Sequence, residues 1–222
     1  MENSSTDKKT ILKKYSEFVL RHNHPPKNVY LFCEDNDLIE NDFYIFFANF
    51  QELEKEYLVY FFEESLFLLA DDANFSEMSS KTKLLSLYYT YFEQLTLNRS
   101  LVKYILDAKN RMESLKKLSK LRVMFLNFVK TLDVASISIN LDNAGLQKLE
   151  KYKNKGVEEL FWNNFLLTLK FWMDDTSSSF EKTDIFIEKS VEASFEFVNT
   201  KPLEKLLDFG KFIWKEKVVK NY

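Results

Sequence analysis

One cysteine, three glycines and three prolines are all that this 222-residue chain contains of those types. Cys33 has no partner for an internal disulfide and no second thiol for a zinc site. A chain so poor in cysteine fits a reducing compartment. The scarcity of Gly and Pro argues against a β-sandwich, and no Gly-rich loop is present to cradle a phosphate. Histidine occurs only at His22 and His24, beside Pro25-Pro26, with no second group of ligands to make a metal site. No apolar run is long enough to cross a bilayer; the stretch from Tyr57 to Ala70 is interrupted by Glu63 and Glu64. The first seven residues are polar and acidic, unlike a signal peptide, so a cytoplasmic protein without a transmembrane segment is expected. With a net charge of −3, no global field draws the chain towards nucleic acid. Cys33 lacks a neighbouring base and Asp174-Asp175 sits among turn hydroxyls, so neither enzymatic activity nor a cofactor or metal is expected.

What the chain has in abundance is aromatic and helical. It contains 22 Phe and 11 Tyr, and hydrophobic residues make up 45% of it. Apolar residues recur at helical spacing almost throughout, which predicts an all-α protein. A first helix is expected from about Lys8 to Arg21, ended by the His22 to Pro26 segment. A short second helix is capped by Asn28 and turns Val29, Phe32 and Cys33 inward. After a turn at Asn36-Asp37 comes a third, with Phe43, Phe46 and Phe47 at i, i+3, i+4. Asn49 then caps a longer fourth helix through Leu53, Tyr57, Phe61 and Leu68. Three short helices separated by tight turns are the layout of a helix-turn-helix module. The expected division is therefore 1–49 as a helix-turn-helix domain and 50–222 as a larger helical domain.

Further along, Ser76 or Ser79 opens a helix through Leu95, and Asn98 is expected to cap the next. Residues 113–131 read as one basic amphipathic helix, whose lysines form a solvated face, and 132–145 as a loop. Gly156 is expected to break the chain before an apolar helix from Glu158 to Met173. Ser178 and Glu181 match a capping box for a helix reaching about Asn199. Thr200-Lys201-Pro202 is expected to begin the last helix.

The stretches KKTILKKYSEFVL, NVYLFCEDNDL and IENDFYIFFANFQELEKEYL resemble the N-terminal domain of TetR-family transcriptional regulators. Val29, Phe32 and Cys33 take the Val, Ile and Ala positions of the family's second helix. Asp37 falls where its turn glycine belongs, and Phe43 to Phe47 match Leu-Tyr-x-Tyr-Phe. The resemblance implies a homodimer that binds DNA and responds to an apolar small-molecule effector. By it, Lys8, Lys9, Lys27, Asn28, Glu40, Asn41, Asp42, Tyr44 and Phe46 are candidate DNA contacts. Yet Glu40 replaces the family's phosphate-binding lysine, and no Lys or Arg occurs from Asn28 to Glu54, a direct cost to DNA affinity. A second resemblance, over LKFWMDDTSSSFEKTDIFIEKSV, is to the TetR-like lipid-binding accessory proteins of ubiquinone biosynthesis, which keep the fold and lose DNA binding. The alternative function is thus a TetR-fold lipid or isoprenoid carrier.

Tyr88, Tyr91, Phe92, Phe125, Phe128, Trp162, Phe165 and Trp172 are candidates to line an apolar ligand cavity between helices, unless they simply fill a core. The helix from Glu158 to Met173 is apolar nearly all round, and the next carries two apolar stripes, Phe186-Ala193-Phe197 and Ile187-Val191-Phe195-Val198. One stripe can face its own bundle and the other a copy, which predicts a homodimer through residues 158–199.

Overall fold

The computed structural model describes residues 7–106, 110–132, 134 and 144–198. The described residues form ten α-helices and no strand, an all-α protein with an N-terminal helix-turn-helix followed by a larger helical region. By contact, the chain divides into two compact units, Met1–Asp71 with Thr90–Met124, and Asp72–Tyr89 with Phe125–Tyr222.

In the first unit, α1 (Lys8–His22) begins where the Asp7 carboxylate accepts from the Thr10 N–H at 2.6 Å. Asn28 caps α2 (Val29–Asp35) by accepting from the Leu31 N–H at 2.8 Å, as expected. The turn into α3 (Glu40–Phe46) has a specific geometry. The Leu38 N–H reaches the Cys33 carbonyl at 2.9 Å and the Asp37 N–H reaches that of Glu34 at 3.4 Å, with Asp37 left-handed at φ 56°. This is a Schellman ending, in which an aspartate holds the place usually given to glycine. Asparagine and aspartate tolerate that region best after glycine, which is why the aspartate leaves the turn intact.

Phe50 gathers the aromatic core of this unit: its ring stacks on Tyr15 at 5.3 Å and meets Phe32 and Phe43 at 5.5 Å each. It opens α4 (Phe50–Ala70), capped by Asn49 through the Glu52 N–H at 2.9 Å. Two inward assignments differ. Phe46 is 40% exposed, because α3 ends there and the extended backbone at Phe47 (φ −139°, ψ 130°) carries Phe47 into the core instead. Leu68 is half exposed while Leu69 is buried at the end of α4.

Ser79 caps α5 (Ser80–Leu97) through the Thr82 N–H. Asn98 precedes α6 (Arg99–Ile105) but does not cap it; its amide donates back to the Gln94 carbonyl at 2.9 Å. The expected single helix over 113–131 is two, α7 (Arg111–Lys117) and α8 (Ser119–Thr131), with a turn at Leu118.

The second unit is dominated by α9 (Ala144–Asp174) and α10 (Glu181–Val198). Gly156 lies inside α9 and does not break it. A glycine within a helix costs only ~1 kcal/mol relative to alanine, little against the packing of a long helix. The loop expected over 132–145 lies largely outside the described residues, except that α9 already begins at Ala144. The helix expected from Thr200 lies wholly outside them.

The α9–α10 turn is organised by other residues than the expected capping box. Asp175 accepts from the Ser177 N–H at 2.8 Å, the Ser177 hydroxyl at 2.7 Å, the Thr183 N–H at 3.0 Å and the Thr183 hydroxyl at 2.7 Å. Ser177 in turn accepts from the Lys182 N–H. Ser179 and Phe180 are both left-handed, which reroutes the backbone so that Ser178 is not the residue entering α10. Burial alone would raise the Asp175 pKa, but these bonds outweigh it and hold the carboxyl at about 2, against an ordinary 3.8. A depressed folded-state pKa stabilises above the unfolded value and is lost as pH falls through the folded one. Wild-type protein should therefore lose thermal stability from Asp175 between about pH 4 and pH 2, and D175N should show less loss in that window while starting lower, by ~0.5–2 kcal/mol as for a lost cap. Parallel melting curves of the two proteins across that range check this; equal acid sensitivity would contradict it.

Candidate functional site

The helix-turn-helix head presents α3 outward through Asn41, Tyr44 (52% exposed), Ile45 (67%) and Phe46. Glu40 and Asp42 occupy its first turn. Of the candidate cations, Lys8 pairs with Glu56 at 2.7 Å and Lys9 with Glu64 at 3.4 Å, both on α4. Lys9 also stands 5.4 Å over the Tyr60 ring, and its hydrogen bond to Glu64 raises its pKa. Asn28 is held by its role as the α2 cap. Lys13, Lys14 and Lys27 carry no ion pair among the described residues. The structure therefore keeps Tyr44 and Asn41 available on α3 and holds Lys8, whereas the solvent-exposed Lys9–Glu64 pair is readily exchanged.

A buried ionic cluster lies close behind the head, in the same unit. Glu54 is only 6% exposed; it accepts from the Tyr15 hydroxyl at 2.7 Å and pairs with Lys117 at 2.7 Å. Lys117 also donates to the Ile105 carbonyl at 2.8 Å, so one carboxylate connects α1, α4, α6 and α7. Burial, and then the Glu54 charge, push the Tyr15 pKa well up. Beside it, Lys120 reaches Glu56 at 2.5 Å and Glu52 at 3.2 Å. Burial alone would raise the Glu56 pKa, but hydrogen bonds from Lys120 and Lys8 bring it below its ordinary value. Lys117 and Lys120 are thus not the solvated cations expected of the α7–α8 basic run. The available signal was Glu54 itself, between Leu53 and Tyr57 on the inward stripe of α4. A groove of about 690 Å³ opens over this cluster, walled by Pro25, Pro26, Phe50 and Tyr104.

The eight candidate ligand-lining aromatics do not form one group. Tyr88, Phe125, Trp162 and Phe165 come together in the second unit: Trp162 stacks on Phe165 at 5.4 Å, and Phe125 lies 4.9 Å from Phe165 and 6.1 Å from Tyr88. The Tyr88 hydroxyl donates to Asn164 at 3.0 Å, and the Asn164 amide donates to the Ser190 carbonyl at 2.9 Å, which ties α5, α9 and α10 together. Trp172 is fully buried in the same unit and Phe128 half-buried. Tyr91 and Phe92 belong to the first unit, where the Tyr91 ring meets Phe62 at 5.7 Å and its hydroxyl donates to the Leu58 carbonyl at 3.3 Å.

On α10 the two apolar stripes have different surroundings. Ile187, Val191, Phe195 and Val198 are buried, with Phe195 5.1 Å from Phe161 of α9. Phe197 is 42% exposed, Ala193 is exposed, and Phe186 stacks on Phe171 at 4.5 Å beside a groove of about 500 Å³ lined also by Ile185 and Lys189. Leu167 on α9 is 60% exposed.

Among the described residues no group of His, Cys, Asp and Glu is arranged to hold a metal, and no helix is long and apolar enough to cross a membrane. Cys33 is buried and its thiol is pushed up to about 11 by burial and by the Glu40 and Asp42 charges, away from thiolate chemistry. A family model described as "Tetracyclin repressor-like, C-terminal domain" matches residues 83–213. No curated protein matches the chain, and no solved structure does.

Proposed function

The chain belongs to the tetracyclin repressor-like family, matched over more than half its length, and from that premise we propose that it is a transcriptional regulator binding DNA as a homodimer and releasing it when an apolar small molecule enters the helical domain. In this reading residues 1–49 are the DNA-binding domain and 50–222 the regulatory domain. The observation that carries it is the head: the Schellman turn from α2 into α3 sets α3 outward with Asn41 and Tyr44 on its exposed face. The cationic contacts fall to Lys13, Lys14, Lys27 and the exposed Lys9 rather than to Lys8, which Glu56 holds. The effector would be sought around Tyr88, Phe125, Trp162 and Phe165, with Phe128 and Trp172 at their side.

Affinity for DNA should be low and strongly salt-dependent. Neutralising Lys13, Lys14 and Lys27 together should flatten the slope of log K against log salt by roughly one unit for each phosphate that then goes unneutralised. The same treatment of Lys8, held by Glu56, should change it less. Titrating a labelled duplex from the chain's own promoter region at several salt concentrations tests this. An absence of binding at low salt would remove the regulator reading and leave the second one, a TetR-fold lipid carrier without an operator. That second reading is favoured by one specific feature, the run from Asn28 to Glu54 without Lys or Arg. Mass spectrometry of ligand retained by the native protein distinguishes an isoprenoid-like lipid from a small effector.

A further inference from the structure

Two exposed faces of the first unit are chemically complementary. The first is α3 and its approach, where Ile39 (49%), Tyr44 (52%), Ile45 (67%) and Phe46 (40%) are all open to solvent. They sit in a segment whose charges are Glu34, Asp35, Asp37, Glu40 and Asp42, with no cation. The second is the outer face of α7 and the start of α8, where Met112 (70%), Leu115 (42%) and Val123 (58%) are exposed. Residues 112, 115 and 116 share one side of α7 at i, i+3, i+4 spacing, which sets the exposed Lys116 among these apolar groups. Its one ion pair, to Glu113 at 3.5 Å, is solvent-exposed on both sides and is readily exchanged.

Large apolar side chains ringed by charge of one sign mark a surface that meets a partner, since a monomer rarely leaves such a patch uncovered. For the α3 face the acidic rim disfavours a phosphate backbone and favours a cationic, apolar counterpart. On this same chain α7–α8 offers the exposed Met112, Leu115 and Val123, with Lys116 as the cation. We propose that the α3 face of one copy docks on the α7–α8 flank of a second copy. This association is separate from the α9–α10 dimer and does not rest on it. Two copies related by a two-fold axis make the contact twice, since each offers both faces. Within that assembly the α3 surface is covered, so self-association and occupancy of the head by DNA exclude one another.

Sedimentation velocity of the full chain over a range of concentrations tests the proposal. Exposed ion pairs are screened within ~10 Å at 0.1 M salt, so the association should be present at low salt and fall off above it. The expected result is a species at low salt larger than the one present at high salt, with its association constant lowered at least tenfold by I45D, by E40K or by K116E. These positions lie at the surface, and unchanged circular dichroism and melting temperature verify that the variants fold. The decisive arm is a mixture: E40K places a cation on the α3 face and K116E places a carboxylate on the flank, so together they should recover association that neither shows alone. A larger species that persists in I45D and K116E, its absence in the wild type at every concentration and salt, or a mixture no better than its components each overturn the proposal. If a duplex binds the wild-type head while the larger species never forms, the α3 face belongs to DNA alone.

Discussion

Replacing Lys117 with methionine should destabilise the protein by ~3–5 kcal/mol, the usual consequence of leaving a buried charge without its partner. The Glu54 and Lys117 side chains are 8% and 15% exposed, so water from the adjoining groove replaces the ammonium only in part. The paired change E54Q/K117M should recover most of the loss, because the glutamine amide still accepts from Tyr15 and no charge remains buried. Urea midpoints of the three proteins at neutral pH measure it. A deficit under ~1 kcal/mol at neutral pH would mean that the pair behaves as a solvated one.

The same cluster illustrates where the sequence is legible and where it is not. Asn28, Asn49 and Ser79 are recognisable as caps, and each bonds an N–H three residues on. That geometry is local, so spacing alone reveals it. The pairing of Glu54 with Lys117, or of Lys8 with Glu56, joins residues far apart in the chain, and no local pattern encodes it. For that reason Lys8 and Lys9 read as free cations. Asn98 has the right residue type at the right place, but its amide finds the Gln94 carbonyl first, a competition that spacing does not resolve. At the α9–α10 turn the left-handed Ser179 and Phe180 move the capping role back to Asp175 and Ser177, because backbone there takes a conformation that side-chain pattern does not announce. The helix-turn-helix itself is legible from Val29 to Phe47, including the aspartate in the place of the turn glycine, since its helices and turn are all set by near neighbours.

The aromatic residues are legible as buried but not as neighbours. Tyr88 and Tyr91 lie less than one helical turn apart on α5, yet their rings serve different units. Membership of one helix face predicts burial and says little about which distant aromatic will be met.

The α9–α10 surface gives the second large effect. Our reading makes residues 158–199 a homodimer contact, and the burial of Ile187, Val191, Phe195 and Val198 against the chain's own bundle leaves the other stripe for a copy. Ile185 and Leu167 stand 51% and 60% exposed next to the Phe171–Phe186 stack, and Phe197 stands 42% exposed about three turns further along α10. In a stable dimer such faces bury roughly 1,200–2,000 Å² in total. A carboxylate placed on that surface must be desolvated in the dimer without a partner, so F197D combined with L167D should lower dimer affinity by several powers of ten while each chain keeps its helicity. F195D should behave differently: Phe195 is 8% exposed and 5.1 Å from Phe161, so its charge enters the bundle and unfolds the unit instead of separating copies. Equilibrium sedimentation together with circular dichroism separates the two outcomes. Because association of folded copies stabilises them by mass action, the wild-type melting temperature should also rise with protein concentration, and that dependence should vanish in F197D/L167D. A wild-type monomer at micromolar concentration, or a double variant that sediments like the wild type, would show that this stripe is not the contact between copies.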